Sequence, residues 1–197
     1  MNWLAHVFLS EQDVEFRLGN LLADIVKGDQ RASMTATFLR GVQRHHAIDS
    51  FTDSHPVVRR SRSRIDAGNR RFSGVLVDVF YDFFLASNWD RYASMPLDSF
   101  TSAFYADVRA HPLPLPEQAQ ITIDRIVEYD LLGSYCRIEG VERSLQRLSM
   151  RLAKRWRREF ALENGVADLV AHHDAFAEDF AEFFPALRTH LCAAVPA

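Results

Sequence analysis

Glycine, cysteine and long apolar runs are what this chain has little of. Only 8 of its 197 residues are glycine and only two are cysteine. Cys136 and Cys192 sit in no motif and lie 56 positions apart, so no disulfide framework is expected. Reduced thiols and a cytoplasmic setting follow as expectations. No uncharged apolar stretch approaches the ~18 residues that a membrane-spanning helix requires. The start, MNWLAHVFLSEQD, has neither the basic leader nor the long apolar run of a signal peptide. No membrane partner is therefore expected. Gly19, Gly28 and Gly41 are isolated, which removes glycine-rich Walker and dinucleotide-binding loops, and no nucleophile-elbow sequence surrounds a serine.

What is present is a folded chain with 48% apolar residues, 25% charged residues and a net charge of −3. At this length folding removes roughly 70% of the unfolded surface from water, enough for a core without staples. Apolar residues recur mostly at helical spacing. Gly28 reads as the glycine that closes a helix over residues 15–26. His55-Pro56 ends one helix and begins another. Further joints fall at residues 69–74 and 94–96, and His111-Pro-Leu-Pro-Leu-Pro116 is a stiff extended connector. The run Val75 to Leu85 would suit a buried strand, but its pattern continues to Trp89 and Tyr92, so length decides for helix. The fold class predicted is all-α: one compact helical bundle over residues 1–197, with about eight or nine helices and no sheet. A division into subdomains would fall near 112–116, although halves this small would share a core.

Charge is unevenly spread. Residues 56–71 carry a net +5, residues 137–158 a net +6, and residues 159–184 a net −7. One reading is that these are solvated helix faces that pair with one another. The other is a basic face for an acidic partner. A nucleic-acid partner is not expected, because the basic segments lack interleaved aromatic residues. His172 and His173-Asp174 sit in the acidic segment and read as a solvated face. Phe176, Phe180, Phe183 and Phe184, like Trp3, Trp89 and Trp156, read as packing.

The chemistry-bearing residues concentrate in the first 82 positions, in pairs four apart: Asn2 with His6, Asn20 with Asp24, His45 with Asp49, and Asp78 with Asp82. Residues i and i+4 share one helix face. Asp78 and Asp82 lie on the most apolar segment of the chain, where a carboxylate costs several kcal/mol unless paired or bound to a cation. Arginine pairs would satisfy them; so would a metal. His45 and Asp49, one turn apart, form a two-ligand unit suited to Mn²⁺, Fe²⁺ or Zn²⁺. Four such segments point to inward ligands in a helical bundle, and the absence of a repeated Glu-x-x-His pair argues against the ferritin-like type.

The blocks Asn2-Trp-Leu-Ala-His6, Gly19-Asn-Leu-Leu-Ala-Asp24 with Val26-Lys27-Gly28, His45…Ile48-Asp49-Ser-Phe51-Thr-Asp53-Ser-His55-Pro56, and Asp78-Val…Asp82-Phe-Phe-Leu…Trp89 together resemble the acyl carrier protein phosphodiesterases. His172…Phe176…Phe180…Phe183-Phe-Pro185 extends the likeness towards the end. The resemblance implies an all-helical fold distantly like the HD-domain phosphohydrolases, and a divalent metal, Mn²⁺ favoured. It also implies hydrolysis of the phosphodiester joining 4′-phosphopantetheine to a carrier-protein serine. His6, Asp24, His45, Asp49, Asp78 and Asp82 fall on the family's polar motif positions. Where the family usually has arginine after the motif histidine, this chain has His46, and no His-Asp dipeptide occurs in that block.

The roles expected are therefore these. His45, Asp49, Asp24 and Asp78 hold the metal, and His6 and Asp24 join the catalytic group. Asp82 orients ligands or acts as general base. Lys27, Arg44 and His46 take the phosphate oxygens. Because acyl carrier protein is small and acidic, Arg59, Arg60, Arg62 and Arg64 are the first choice for docking it, with residues 143–158 second. Two rival readings stay open: a metal-dependent phosphohydrolase acting on nucleotides, and a non-catalytic helical binding protein whose buried aspartates pair with arginines.

Overall fold

Local signals set where the helices begin. Asp13 accepts the Phe16 amide at 2.9 Å and starts α2 (Val14–Leu22), after the short α1 (Trp3–Phe8). Gly28, at φ +56°, opens the five-residue α3 (Gly28–Ala32). Thr35 caps α4 (Ala36–Ser54) by accepting the Phe38 amide at 3.1 Å. His55 ends α4 and caps α5 (Pro56–Ser63), with Pro56 at the first helical position. The remaining helices are α6 (Ser73–Ser87), α7 (Leu97–Ala110), α8 (Glu117–Glu128), α9 (Ile138–Trp156), α10 (Val166–Ala171) and α11 (His173–Ala193). Short 3₁₀ turns cover residues 70–72, 89–91, 133–136 and 162–165, and no strand occurs among the described residues. The structure is a computed structural model, which describes residues 1–193.

Helix α6 is the centre of the bundle. Its residues Leu76, Val77 and Val79 to Ala86 are all buried, so it is apolar nearly all round, as a helix surrounded by others must be. Phe176, Phe180, Phe183 and Phe184 of α11 pack on it with α1, in one buried cluster that runs from Met1 to Leu191. Helices α2 and α4 cross at unusually close range. A Cβ on Gly19 would stand 2.0 Å from the Phe38 carbonyl oxygen, and one on Gly41 would stand 2.1 Å from that of Phe16. Two glycines thus let one backbone rest on the other.

The all-α expectation holds, with corrections in detail. Among the described residues eleven α-helices and four 3₁₀ turns replace the expected eight or nine, because several breaks carry a turn or two of helix of their own. Gly28 starts a helix instead of ending one: α2 stops at Leu22, Ala23 to Ile25 form a turn, and Lys27 is extended ahead of α3. Trp89 is buried as expected, but Trp156 is 59% exposed at the end of α9.

Candidate active site

The tight α2–α4 crossing places Asn20 of α2 beside His45 of α4, and α1 brings His6 onto the same spot. Asn20 is fully buried and holds both imidazoles. Its backbone carbonyl accepts from His45 Nδ1 at 2.8 Å, and its side-chain Oδ1 faces His6 Nδ1 at 2.8 Å. The Asn20 amide nitrogen is occupied in donating to the His6 carbonyl and to Ser10 Oγ, so Oδ1 is the acceptor and His6 Nδ1 the donor. The two rings stack with centroids 4.2 Å apart.

With both Nδ1 atoms protonated, each neutral ring presents a lone pair at Nε2. His45 Nε2 lies 3.0 Å from Asp49 Oδ2, and His6 Nε2 lies 3.3 Å from Asp49 Oδ1 and 3.3 Å from the Met1 carbonyl oxygen. Acceptors facing acceptors at these distances repel unless a proton or a metal cation stands between them. Burial pulls the pKa of His6 down. At His45 burial pulls the same way, but the Asp49 contact and the Asn20 carbonyl outweigh it, and its pKa is raised. Burial would raise Asp49, yet its bonds to His45 and His6 hold its carboxyl far below the usual range. Ligand atoms of His6, His45 and Asp49 all lie within 4.8 Å of one another, a spacing that suits one shared cation.

The other expected residues divide. Asp24 reaches the cluster from the turn after α2, its Oδ2 3.8 Å from His45 Nε2, but is 77% exposed and also lies 3.8 Å from Lys27 Nζ. Asp78 stands on the far side. Its Oδ1 is buried without a hydrogen bond, and its cationic neighbour is the Met1 amino group at 3.1 Å, which also lies 3.5 Å from Asp49. Asp82 is fully buried and accepts the Leu4 amide at 2.8 Å and the Ala5 amide at 3.1 Å. Burial pushes its pKa up to about 7, against those two bonds. Both its oxygens are engaged by the first turn of α1, so the side chain holds α1, and with it His6, in place. Among the described residues no arginine pairs with Asp78 or Asp82; segment 1–5 serves both.

A cavity of about 240 Å³ opens onto the cluster, lined by His6, Asp24, His45 and Asp78 together with Trp3, Ser144 and Arg151. Arg44 and His46 are not among its lining residues. They neighbour His45 in sequence and so point about 100° away round the helix; Arg44 donates to the Leu191 carbonyl at 3.4 Å, and His46 is exposed. Lys27 does not line the cavity either, and lies 3.8 Å from Asp24, which does. Sequence reasoning gave Arg151 no part in the catalytic cluster and included it only in the 143–158 segment, the second choice for docking; it lies over the Trp3 ring at 5.5 Å and lines the cavity.

The four arginines expected to dock a partner are also placed differently. Arg60 donates to Asp179 at 2.6 Å and to Glu182 at 2.6 Å, Arg64 pairs with Asp179, Arg62 donates to Asp53 at 2.5 Å, and Arg59 donates to the Ser54 carbonyl at 2.5 Å. Basic α5 thus meets acidic α11 through Arg60 and Arg64, while Arg62 and Arg59 turn back to the end of α4. His173 bonds Asp174 at 3.0 Å on the surface, and His172 is exposed.

Helices crossing at two glycines, an imidazole pair held by one buried asparagine and a carboxylate between the free nitrogens define an all-α protein with a histidine–carboxylate centre in an open cavity. The model of the acyl carrier protein phosphodiesterase family matches residues 1–187, and the chain belongs to that enzyme family. It is 28% identical over 186 residues to a protein of that name from Photorhabdus laumondii, covering 94% of this chain and 92% of the relative. It is 30% identical over 193 residues to one from Yersinia enterocolitica, covering 96% of each, and 31% identical over 186 residues to one from Salmonella agona, covering 94% of each. No solved structure matches the chain, and the expected likeness to HD-domain phosphohydrolases gains no support from that comparison.

Proposed function

We propose that this chain hydrolyses the phosphodiester between 4′-phosphopantetheine and the serine of acyl carrier protein, with a divalent cation, Mn²⁺ favoured, held by His6, His45 and Asp49. One observation carries the reading: two imidazole Nε2 atoms, fixed as acceptors by Asn20, converge on the carboxylate of Asp49. Mixed nitrogen and oxygen donors suit Mn²⁺, Fe²⁺ or Zn²⁺. Asp24 and Asp78 flank the position and complete the donor set. The bound cation would lower the pKa of a water towards neutrality and draw charge from the phosphoryl oxygens.

The chain's own residues do the rest. Asn20 keeps both Nδ1–H groups pointed away from the reacting centre, and Asp82 fixes α1 so that His6 stays in register. Asp24, exposed at the mouth, accepts a proton at its carboxylate from the attacking water. The water oxygen bonds to phosphorus, the bond from phosphorus to the seryl oxygen breaks, and that oxygen takes the proton held by Asp24. The products are apo carrier protein and free 4′-phosphopantetheine. Arg151, which lines the cavity, and Lys27, beside Asp24, are the side-chain cations assigned to the phosphate oxygens. The setting proposed is the cytoplasm, in keeping with free, exposed Cys136 and Cys192; among the described residues no helix is long and apolar enough to cross a membrane.

Incubation with holo carrier protein and Mn²⁺, followed by mass measurement, tests the reading. The carrier should lose the mass of its prosthetic group, and chelation should stop the loss. An unchanged carrier mass would refute the proposed activity.

A further inference from the structure

A second cavity, about 530 Å³, lies in the groove between α8 and α9 and meets the first at Trp3 and Arg151, which line both. Helix α8 contributes Gln118, Thr122 and Arg125, which share one face, with Tyr129 just past its end. Helix α9 contributes Arg147, Met150, Arg151 and Lys154, the i, i+3, i+4, i+7 set of one face. Four cations line the groove and no acid does. Among the described residues none of the four forms an ion pair, whereas Arg60, Arg62 and Arg64 of α5 all do. Apolar surface accompanies the charge: Met150 is 64% exposed and Tyr129 58% exposed, two of the few large apolar side chains left facing water.

Resting on the carrier-protein reading above, we infer that this groove docks an acidic amphipathic segment of the protein substrate and so delivers the seryl phosphodiester to Arg151 and the catalytic cavity. The occupant follows from the chemistry. Arg147 to Lys154 span about 10 Å at 1.5 Å per residue, two turns of a partner helix and too short a track for the phosphates of a nucleic acid. Cations at helical spacing flanking Met150, Tyr129 and Leu131 complement a helix with acidic residues along the borders of an apolar stripe. Unpaired exposed cations steer an acidic partner, while the apolar floor holds it after contact.

The test is charge reversal away from the catalytic cavity, R125E/K154E, with R125Q/K154Q as the milder pair and R59E as the control from α5. Thermal melts establish that each variant is folded. Binding of holo carrier protein by calorimetry and steady-state kinetics are read separately. The expected result for R125E/K154E is a KM raised about tenfold, with kcat within about twofold and the salt dependence of association lost. The milder pair should shift KM in the same direction, and R59E should leave it unmoved. Wild-type binding and turnover in both pairs would overturn the groove assignment and leave the proposed activity standing. Groove-dependent binding of the carrier by a protein with no turnover would do the reverse. Tighter groove-dependent binding of single-stranded RNA or anionic vesicles than of the carrier would also overturn it.

Discussion

Asn20 decides more of the site than any ligand does. One residue fixes the tautomer of two histidines, one through its side chain and one through its backbone. Residues that orient metal ligands in this way typically contribute 10–100-fold to metal affinity. Asn20→Ala should therefore weaken Mn²⁺ binding by about 10–100-fold, read by calorimetry; unchanged affinity would remove Asn20 from this role. The pH dependence follows from His45. Its folded pKa is raised above 6.5, so the stability it adds to the metal-free protein is full below pH 6.5 and fades as pH rises through the folded value. A metal needs the lone pair that this proton occupies. Affinity for Mn²⁺ should climb from pH 6 upward and level off once His45 is neutral, with proton release seen as a buffer-dependent heat of binding. Affinity independent of pH across that range would count against His45 as ligand. These residues were visible in the sequence as polar pairs four apart, but Asn20 carried no assigned role, because only the helix crossing shows which atoms it touches.

At the scale of the element, the α2–α4 crossing and the anchoring of α1 build the site. Gly41→Ala would push a methyl group into the Phe16 carbonyl, and backbone cannot move aside as a side chain can. The expected cost is about 2–3 kcal/mol, with lost activity as the Asn20 carbonyl leaves His45; a thermal melt and an activity assay read the two effects. Asp82→Ala strands the buried amides of Leu4 and Ala5, a loss of about 2–3 kcal/mol, read by chemical denaturation. Helix positions were legible from apolar spacing and from His55-Pro56; the Asp13 and Thr35 caps emerged only in the structure. The short pieces were not, because 3₁₀ turns and five- or six-residue helices are too short for periodicity to register. Gly28 misled for a similar reason: its positive φ is real, but a glycine at +56° can open a helix, as it does for α3, as readily as close one.

Over the whole molecule, charge is divided by task. Basic α5 is tied to acidic α11 through Asp179, which is buried and also accepts from Ser61 at 2.6 Å. Replacing Arg60 and Arg64 with alanine leaves that carboxylate unpaired in the core. The melting temperature should fall by several degrees while KM for the carrier protein stays put; the opposite pattern would restore α5 as a docking face. Among the described residues the cations of the α8–α9 groove form no ion pair, and they border the cavity proposed for catalysis. Net charges of +5, +6 and −7 in three segments were plain in the sequence. Which positive segment meets the negative one is a matter of tertiary packing, and composition carries no trace of it.

The central claim is a divalent cation held between His6, His45 and Asp49, and anomalous diffraction from crystals grown with Mn²⁺ tests it most directly. One strong manganese peak should lie within bonding distance of both Nε2 atoms and the Asp49 carboxylate, and it should vanish in His45→Ala. An active protein whose crystals show no peak there, or show one only beside exposed carboxylates elsewhere, would contradict the account.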